Sequence, residues 1–184
     1  MRVNRTGFIT CVRRLIRTAR TGSETASTVG SPSRLVMVAA IGPGILLYAA
    51  FRAGDDAADL AWMGDKVVSL RIFADQAGKM NRSALDVGGE ILVVSQFTLY
   101  GDARKGRRPS FDGAASAETA RRLFENFLER LRASGLAIRA GRFQEHMEVE
   151  SVNDGPVTIL LDSPTLRHLS ESLEYGHGVE SPQG

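Results

Sequence analysis

Two short stretches place polar side chains beside runs of residues that predict strands. Ser95, Gln96 and Thr98, with Phe97 between them, follow the apolar residues 91–94. Polar groups at the end of a buried strand need hydrogen-bond partners, and either the neighbouring backbone or a ligand can provide them. The residue types alone leave both interpretations open, a strand end satisfied within its own fold and a binding site.

The second stretch is NDGP at residues 153–156, which separates two apolar and β-branched runs at residues 147–152 and 157–161. Asn, Asp, Gly and Pro all favour tight turns. The pattern therefore predicts two strands joined by a hairpin turn. The ordinary trans peptide bond is expected before Pro156, since only about 5–6% of such bonds are cis.

Familiar catalytic motifs do not occur in the chain. It contains no GxSxG, no P-loop, no GxGxxG and no CxxC. Cys11 is the single cysteine, and His146, His168 and His177 are spaced too widely for a short metal-ligand motif. The sequence therefore supports neither a Ser-His-Asp triad nor metal-dependent hydrolysis, and we predict no metal and no cofactor.

Apolar patterns predict the strands and helices that position these residues. Residues 45–51 and 91–97 are short apolar runs, which predict buried strands. Asp55 and Asp56 offer N-caps to a helix. The apolar face of that helix consists of Leu60, Met63, Val67 and Leu70.

The clearest helical pattern covers residues 116–134, with Ser116 as its N-cap and Gly135 as its stop signal. Its apolar face consists of Ala120, Leu123, Phe124, Phe127, Leu128 and Leu131. Strands that alternate with two main helices and are followed by further strands predict an α/β domain. We expect a layered, mixed β-sheet that is partly barrel-like.

The two ends of the chain differ from its middle. Residues 1–33 are rich in Arg, Ser, Thr and Gly and resemble a transit peptide. Their apolar residues lie at helical spacing, namely Val12, Leu15, Ile16 and Ala19. The alternatives are a divergent first strand and turn, or a start codon placed too far upstream. We predict one domain at residues 34–162, preceded by this segment and followed by an appendage at residues 163–184.

Charge is unevenly distributed although its net value is small. The chain has 23 Lys and Arg against 21 Asp and Glu, a formal net charge of +2, which does not by itself indicate a polyanionic partner. A basic cluster consists of Arg104, Lys105, Arg107 and Arg108. It is either a phosphate site or an exposed charged loop. No apolar run approaches the roughly 20 residues of a membrane-spanning helix, so no membrane partner is expected.

Several motifs in the same order resemble the D-aminoacyl-tRNA deacylase family. Its two signature motifs look like Ser95-Gln96-Phe97-Thr98-Leu99 and Asn153-Asp154-Gly155-Pro156-Val157-Thr158. The further agreements are Ile41-Gly42-Pro43-Gly44, Leu70-Arg71-Ile72-Phe73 with Gly78-Lys79-Met80-Asn81, Arg108-Pro109-Ser110-Phe111, and Gly141-Arg142-Phe143 followed by Met147. This resemblance covers residues 34–162, and such a collinear set is far more specific than one motif.

The resemblance implies a homodimeric hydrolase for the ester between tRNA and a D-amino acid, or a glycine mischarged on tRNA-Ala. It assigns Ser95, Gln96, Phe97 and Thr98 to the catalytic segment, which holds the ester carbonyl. The preferred mechanism uses the 2′-hydroxyl of the RNA to help activate water. A nucleophilic role for Thr98 ranks lower, because no His or Lys base is identifiable beside it.

The resemblance also implies roles for residues outside that segment. Gly155 and Pro156, joined by a cis bond in the family, would enter the active site of the partner subunit and read the handedness of the amino acid. Asn153, Phe143 and Met147 would contact the substrate, with core packing as the alternative for the last two. The basic cluster would contact tRNA phosphates.

One part of the chain departs from the family. Related chains open with a strand that carries a Gln-Arg-Val motif, whereas residues 12–17 read VRRLIR, in which Arg17 is the nearest equivalent. This leaves two alternatives, a tRNA-end binding module that does not hydrolyse, and an esterase for small acyl esters that uses Ser95 or Thr98. The expected location is the cytoplasm, or an organelle if residues 1–33 are a transit peptide.

Overall fold

The structure, a computed structural model, describes residues 7–21 and 35–164. In chain order its elements are β1 (Gly7–Thr21), β2 (Leu35–Ile41), β3 (Gly44–Ala49), α1 (Ala57–Ser69), β4 (Phe73–Ala74), β5 (Met80–Arg82), α2 (Ala84–Val87), β6 (Glu90–Ser95), a 3-10 helix (Phe97–Tyr100), α3 (Ala117–Arg132), β7 (Ile138–Ala140) and β8 (Glu148–Leu161).

The larger sheet is mixed and has six strands. They follow the order β2-β1-β3-β6-β7, and β8 pairs with β1 outside this path. β1 is antiparallel to β2, β3 and β8, whereas β3 and β7 each lie parallel to β6. β4 and β5 form a separate two-stranded sheet. The predicted α/β fold with a mixed sheet is confirmed.

The two long helices cover one face of the larger sheet. Ile45 and Leu47 of β3 pack there against the apolar faces of α1 and α3. The buried helical residues include Leu60, Met63, Val67, Leu123, Phe124, Phe127, Leu128 and Leu131. Burial of each large apolar side chain contributes about 1.5–3 kcal/mol. The predicted apolar faces are confirmed, except that Leu70 lies just beyond the end of α1 and is only partly buried.

The opposite face of the sheet has a smaller core of its own. Leu46 and Leu92 point to this side because side chains alternate along a strand. Met147 and Val149, at the beginning of β8, pack against them. The sheet therefore curls back on itself, with β8 beside β1 and across this second face.

The predicted capping residues begin both long helices. Asp56 caps α1 because its Oδ1 accepts hydrogen bonds from the N–H groups of Ala58 and Asp59, at 2.8 and 3.1 Å. The Ser116 hydroxyl caps α3 by accepting a hydrogen bond of 3.3 Å from Thr119 N–H. Each such cap contributes about 1 kcal/mol to stability. These side chains fix where the helices begin.

The strand predicted for residues 91–97 is too long. β6 ends at Ser95, and the chain turns at once into the 3-10 helix Phe97–Tyr100. Gln96 N–H still donates a 2.8 Å hydrogen bond to Ala49 O, the last residue of β3. Beyond this point β3 offers no further strand residue with which β6 could pair, so the ladder ends.

The hairpin predicted around residues 153–156 is also wrong. β8 is continuous across them, and both of its halves pair with the same neighbour, β1. Thr10 lies opposite Thr158 and Val12 lies opposite Asn153, so residues 154–157 form a bulge with only one residue of β1 between these two pairs. The turn-favouring residues serve this bulge rather than a reversal of the chain. The Gly155–Pro156 peptide bond is cis, as the family resemblance implies, and not trans as residue statistics alone favour.

Near the amino terminus, residues 7–21 form β1 rather than a helix, so the helical spacing in this segment is misleading. Pairing with β2, β3 and β8 along both edges outweighs the local periodicity. The choice among the alternatives for residues 1–33 stays a prediction, although β1 agrees with the first-strand alternative. The turn after it falls outside the described residues, as does most of the predicted appendage. The domain boundaries at residues 33 and 163 stay predictions. Within the described part, no helix has the length and apolar character needed to span a membrane.

Candidate active site

A cavity of about 710 Å³ opens at the carboxyl ends of the parallel strands β6 and β7. Ligands of α/β sheets commonly bind at this edge, because the chain leaves the strands there in loops. Three segments line the cavity: Val94, Ser95, Gln96 and Phe97 after β6; Ala115, Ala117 and Ala120 at the start of α3; and Phe143, Gln144, Glu145, His146, Met147 and Val149 around the start of β8. The sequence-predicted residues Ser95, Gln96, Phe97, Phe143 and Met147 are thus brought together.

The segment after β6 forms one wall of the cavity. Gln96 Nε2 donates a hydrogen bond to the hydroxyl oxygen of Thr98. The Phe97 side chain is 56% exposed, and its ring meets that of Phe111 edge to face, with centroids 5.1 Å apart. An aromatic ring this exposed at the mouth of a cavity presents apolar surface to a ligand.

Backbone N–H groups in the turn after β6 could also bind a ligand. Leu99 N–H donates to Gln96 O at 3.1 Å, and Gly101 N–H donates to Thr98 O at 3.0 Å. The N–H groups of Phe97 and Thr98 have no acceptor within the described residues. Free amides beside a cavity can stabilise a developing oxyanion. Within the part of the chain that the structure describes, the amides of residues 97 and 98 therefore have no acceptor, whereas that of residue 99 is engaged.

Phe143 and Met147 combine core packing with a place in the cavity wall. Phe143 packs on the core beneath the helices and lies 5.8 Å from Phe124, measured between ring centroids. Met147 belongs to the opposite core, and its Sδ accepts a hydrogen bond of 3.3 Å from Arg142 N–H. A Cβ at Gly141 would come within 2.9 Å of that sulfur, so glycine is needed for the close approach. Phe143 and Met147 therefore pack in the core and also line the cavity, where they could contact a substrate.

Asn153, Gly155 and Pro156 do not line the cavity of their own chain, as far as the described residues show. All three are exposed on the bulge of β8. Asn153 closes the base of this bulge: its Oδ1 accepts from Val157 N–H at 3.2 Å. Gly155 has φ +127°, and a Cβ there would lie 2.8 Å from Val157 Cγ2. Both the conformation and the space therefore require glycine.

The basic cluster lies on the exposed loop between the 3-10 helix and α3, away from the cavity lining. Arg104 donates from its backbone and its guanidinium to Asp102. Hydrogen bonds from Arg104 hold the pKa of Asp102 well below its usual range. Lys105, Arg107 and Arg108 have no ion-pair partner among the described residues. The four cations are therefore not equivalent, because only Arg104 is already compensated.

Comparison with known proteins identifies the family of the chain that carries this cavity and signature segment. A family model described as D-Tyr-tRNA(Tyr) deacylase matches residues 25–162. The chain belongs to the D-aminoacyl-tRNA deacylase family. A protein named D-aminoacyl-tRNA deacylase from Thermomicrobium roseum is 57% identical over 145 residues, which are 79% of this chain and 92% of that protein. A protein of the same name from Symbiobacterium thermophilum is 57% identical over 127 residues, 69% and 84% of the two chains.

Solved structures agree with the fold. The c-Myc DNA Unwinding Element Binding Protein is 36% identical to this deacylase-family chain, with a TM-score of 0.71 over 86% of this chain and 99% of that one. A structure described as a probable eukaryotic D-amino acid tRNA deacylase is 17% identical, with a TM-score of 0.66 and the same coverage. At that identity the likeness shows the fold alone.

Several residues of this family member's cavity were missed by sequence reasoning. Gln144, Glu145 and His146 line it but follow no pattern that distinguishes them from a polar loop. Gln144 has φ +62°, a left-handed conformation that the sequence does not predict, because residues other than glycine seldom adopt it. Among the described residues, no group of three or more His, Cys, Asp and Glu side chains is placed to hold a metal ion.

Proposed function

We propose that this chain is a D-aminoacyl-tRNA deacylase, which hydrolyses the ester between a D-amino acid and the terminal adenosine of tRNA. The observation that carries the proposal is the cavity, in which Ser95, Gln96 and Phe97 of the signature segment meet Phe143 and Met147. Membership of the family supplies the substrate class. We extend the proposal to glycine mischarged on tRNA-Ala, and to the cytoplasm, where aminoacylated tRNA is used in translation.

The reaction adds water across the ester. The water oxygen bonds to the carbonyl carbon, the bond to the ribose oxygen breaks, and that oxygen leaves with a proton as the free hydroxyl of the tRNA. Negative charge develops on the carbonyl oxygen meanwhile. The free N–H groups of Phe97 and Thr98 are suited to bind it, and one such donor typically contributes about 10²–10³-fold in rate. Phe143 and Met147 would hold the adenosine by stacking and soft apolar contact.

Thr98 positions the ester carbonyl in this proposal and does not attack it. A threonine nucleophile needs a neighbouring base to take its proton. The side-chain partner that the structure gives Thr98 is the Gln96 amide, which donates to the hydroxyl oxygen and cannot accept its proton. The 2′-hydroxyl of the ribose, adjacent to the ester, would instead help to activate the attacking water.

The working form that we propose is a homodimer in which residues 153–156 of one subunit reach the cavity of the other. Those residues are exposed and do not line their own cavity. Val152 and Leu160, on the same strand, are 57% and 42% exposed, and Met37 on β2 is 62% exposed. Exposed apolar side chains on one curved sheet fit a self-complementary, two-fold interface.

Chiral selection follows from such an arrangement. Backbone carbonyls of Gly155 and Pro156 would accept hydrogen bonds from the amino group of the substrate. A fixed carbonyl at this point can bind the amino group of the D-amino acid, and it leaves no space for the side chain of the L-enantiomer. Selection by rejection of the L side chain also explains why glycine, with no side chain, would be accepted.

The deciding experiment compares hydrolysis of D-Tyr-tRNA, L-Tyr-tRNA and Gly-tRNA-Ala by the purified full chain. We expect the D-ester and the glycyl ester to be cleared and the L-ester to persist. Equal rates of hydrolysis of D-Tyr-tRNA and L-Tyr-tRNA would contradict chiral proofreading. Binding of charged tRNA without hydrolysis would instead identify a tRNA-end binding module.

A further inference from the structure

Arg121 connects two walls of the cavity. It lies on α3, one residue after Ala120 and four after Ala117, and both alanines line the cavity. Its guanidinium carbon lies 4.6 Å from the centroid of the Phe143 ring. Its Nη2 donates a hydrogen bond of 3.0 Å to Gln144 Oε1. One side chain of the helical wall therefore contacts two consecutive residues of the opposite wall.

The wall that Arg121 contacts needs such support. Gln144 has φ +62°, a conformation that non-glycine residues adopt seldom and that surrounding contacts must maintain. The residues on either side of Gln144 line the cavity as well, so a change of its backbone conformation would move Phe143. A planar guanidinium is suited to both contacts, because it stacks on an aromatic face while its edge donates hydrogen bonds.

We propose that Arg121 is a positioning residue that holds Phe143 and Gln144 in place and thereby sets the affinity for the terminal nucleoside of tRNA. The proposal rests on the function proposed above, which places that nucleoside beside Phe143. Arg121 does not touch the reacting atoms in this account. Its loss should therefore weaken binding and leave the rate at saturation largely unchanged.

Three variants separate positioning from simple charge. Arg121→Ala removes both contacts. Arg121→Lys keeps the charge but replaces the planar group that stacks and donates along its edge. Arg122→Ala is the matched control, because Arg122 is the next residue on the same helix, is also an exposed arginine, and makes neither the ring contact with Phe143 nor the hydrogen bond to Gln144.

The measurements are the Kd for uncharged tRNA ending in CCA at two salt concentrations, KM and kcat for D-Tyr-tRNA, and the melting temperature. We expect Arg121→Ala and Arg121→Lys both to raise Kd and KM about 5–10-fold, with kcat within about twofold and the salt dependence of Kd unchanged. Arg122→Ala should behave as the unaltered protein.

Each other outcome overturns the inference in a recognisable way. Rescue by Arg121→Lys, or a smaller salt dependence in Arg121→Ala, would show that Arg121 acts as a charge toward phosphate. An unchanged Kd in Arg121→Ala would show that the two walls need no such link. Failure of the unaltered protein to bind or clear D-Tyr-tRNA would overturn the proposed function itself, and Arg121 with it.

Discussion

Asn153 Nδ2 donates a hydrogen bond of 3.1 Å to Thr158 Oγ1 across the base of the bulge in β8. The same residue also accepts from Val157 N–H through its Oδ1. A single amide side chain therefore closes the loop that carries Gly155 and Pro156. This internal closure leaves residues 153–156 exposed at the surface.

Mixed dimers test whether the bulge acts across the subunit interface. Gly155→Val should distort the bulge, since the new side chain would meet Val157 Cγ2 and occupy a backbone conformation closed to it. Ala117→Trp should fill the exposed mouth of the cavity. Each variant alone is expected to be inactive, whereas subunits refolded together in equal amounts should regain about a quarter of the sites of the unaltered dimer.

That fraction follows from counting. Half of the dimers combine one subunit of each kind, and each of these contains one intact cavity facing one intact bulge. Deacylation of D-Tyr-tRNA by the refolded mixture, beside each variant refolded alone, provides the measurement. A bulge that served its own cavity would give a mixture as inactive as its components.

Thr98→Ala distinguishes positioning from covalent catalysis. We expect about a tenfold loss of kcat/KM, equivalent to about 1.4 kcal/mol, because the Phe97 and Thr98 amides remain. A nucleophile would lose at least about 10³-fold. Thr98→Ser, which keeps the hydroxyl, serves as the control, and mass spectrometry of the protein during turnover would reveal an acyl-enzyme. Detection of that adduct at residue 98 would contradict the positioning role.

The sequence predicted those parts of the fold that depend on local patterns. The caps at Asp56 and Ser116 and the apolar faces of both long helices could be read from spacing alone, because each depends on neighbours within one or two turns. The bulge in β8 could not. Asn153 to Pro156 have the composition of a hairpin turn, and only pairing of both flanking halves with β1 shows that the chain continues in one direction.

The same distinction applies to the site. Ser95 and Gln96 stood out because polar residues followed an apolar run. Arg121 could not be identified from the sequence. Its contacts with Phe143 and Gln144 join residues more than 20 positions apart, and neither local pattern indicates them. The family resemblance supplied the pairing of motifs that spacing alone could not, because the motifs lie on separate elements.

The basic loop gives a prediction about salt. Changing Lys105, Arg107 and Arg108 together to Ala should reduce the slope of log K for tRNA against log salt by about 2, at roughly 0.7 for each phosphate that is no longer neutralised. Arg104→Ala should change it little, because Asp102 already compensates that charge. Binding titrations between 50 and 200 mM salt, about the range in which such slopes are resolved, would measure both. A full reduction by Arg104→Ala would show that its ion pair opens on binding.

Asp55 provides a prediction about pH. It is buried beside α1, accepts a hydrogen bond of 3.0 Å from Arg52 N–H, and lies near Asp59. Burial raises its pKa above the usual 3.8, although the contacts with Arg52 act in the opposite direction. A raised folded-state pKa means that the folded protein binds the proton more tightly than the unfolded chain. The stability that this proton contributes is complete below pH 3.8 and is lost as pH rises through the folded-state pKa.

Asp55→Asn removes that titration and keeps an oxygen to accept from Arg52 N–H. Urea denaturation between about pH 4 and pH 8 should therefore show the free energy of unfolding of the unaltered protein falling relative to that of the variant as pH rises, and then levelling off. Asp112→Asn, at an exposed position, serves as the control variant over the same range. If the free energy of unfolding of the unaltered protein instead rose relative to that of Asp55→Asn as pH increased, the contacts with Arg52 would outweigh the cost of burying the carboxylate.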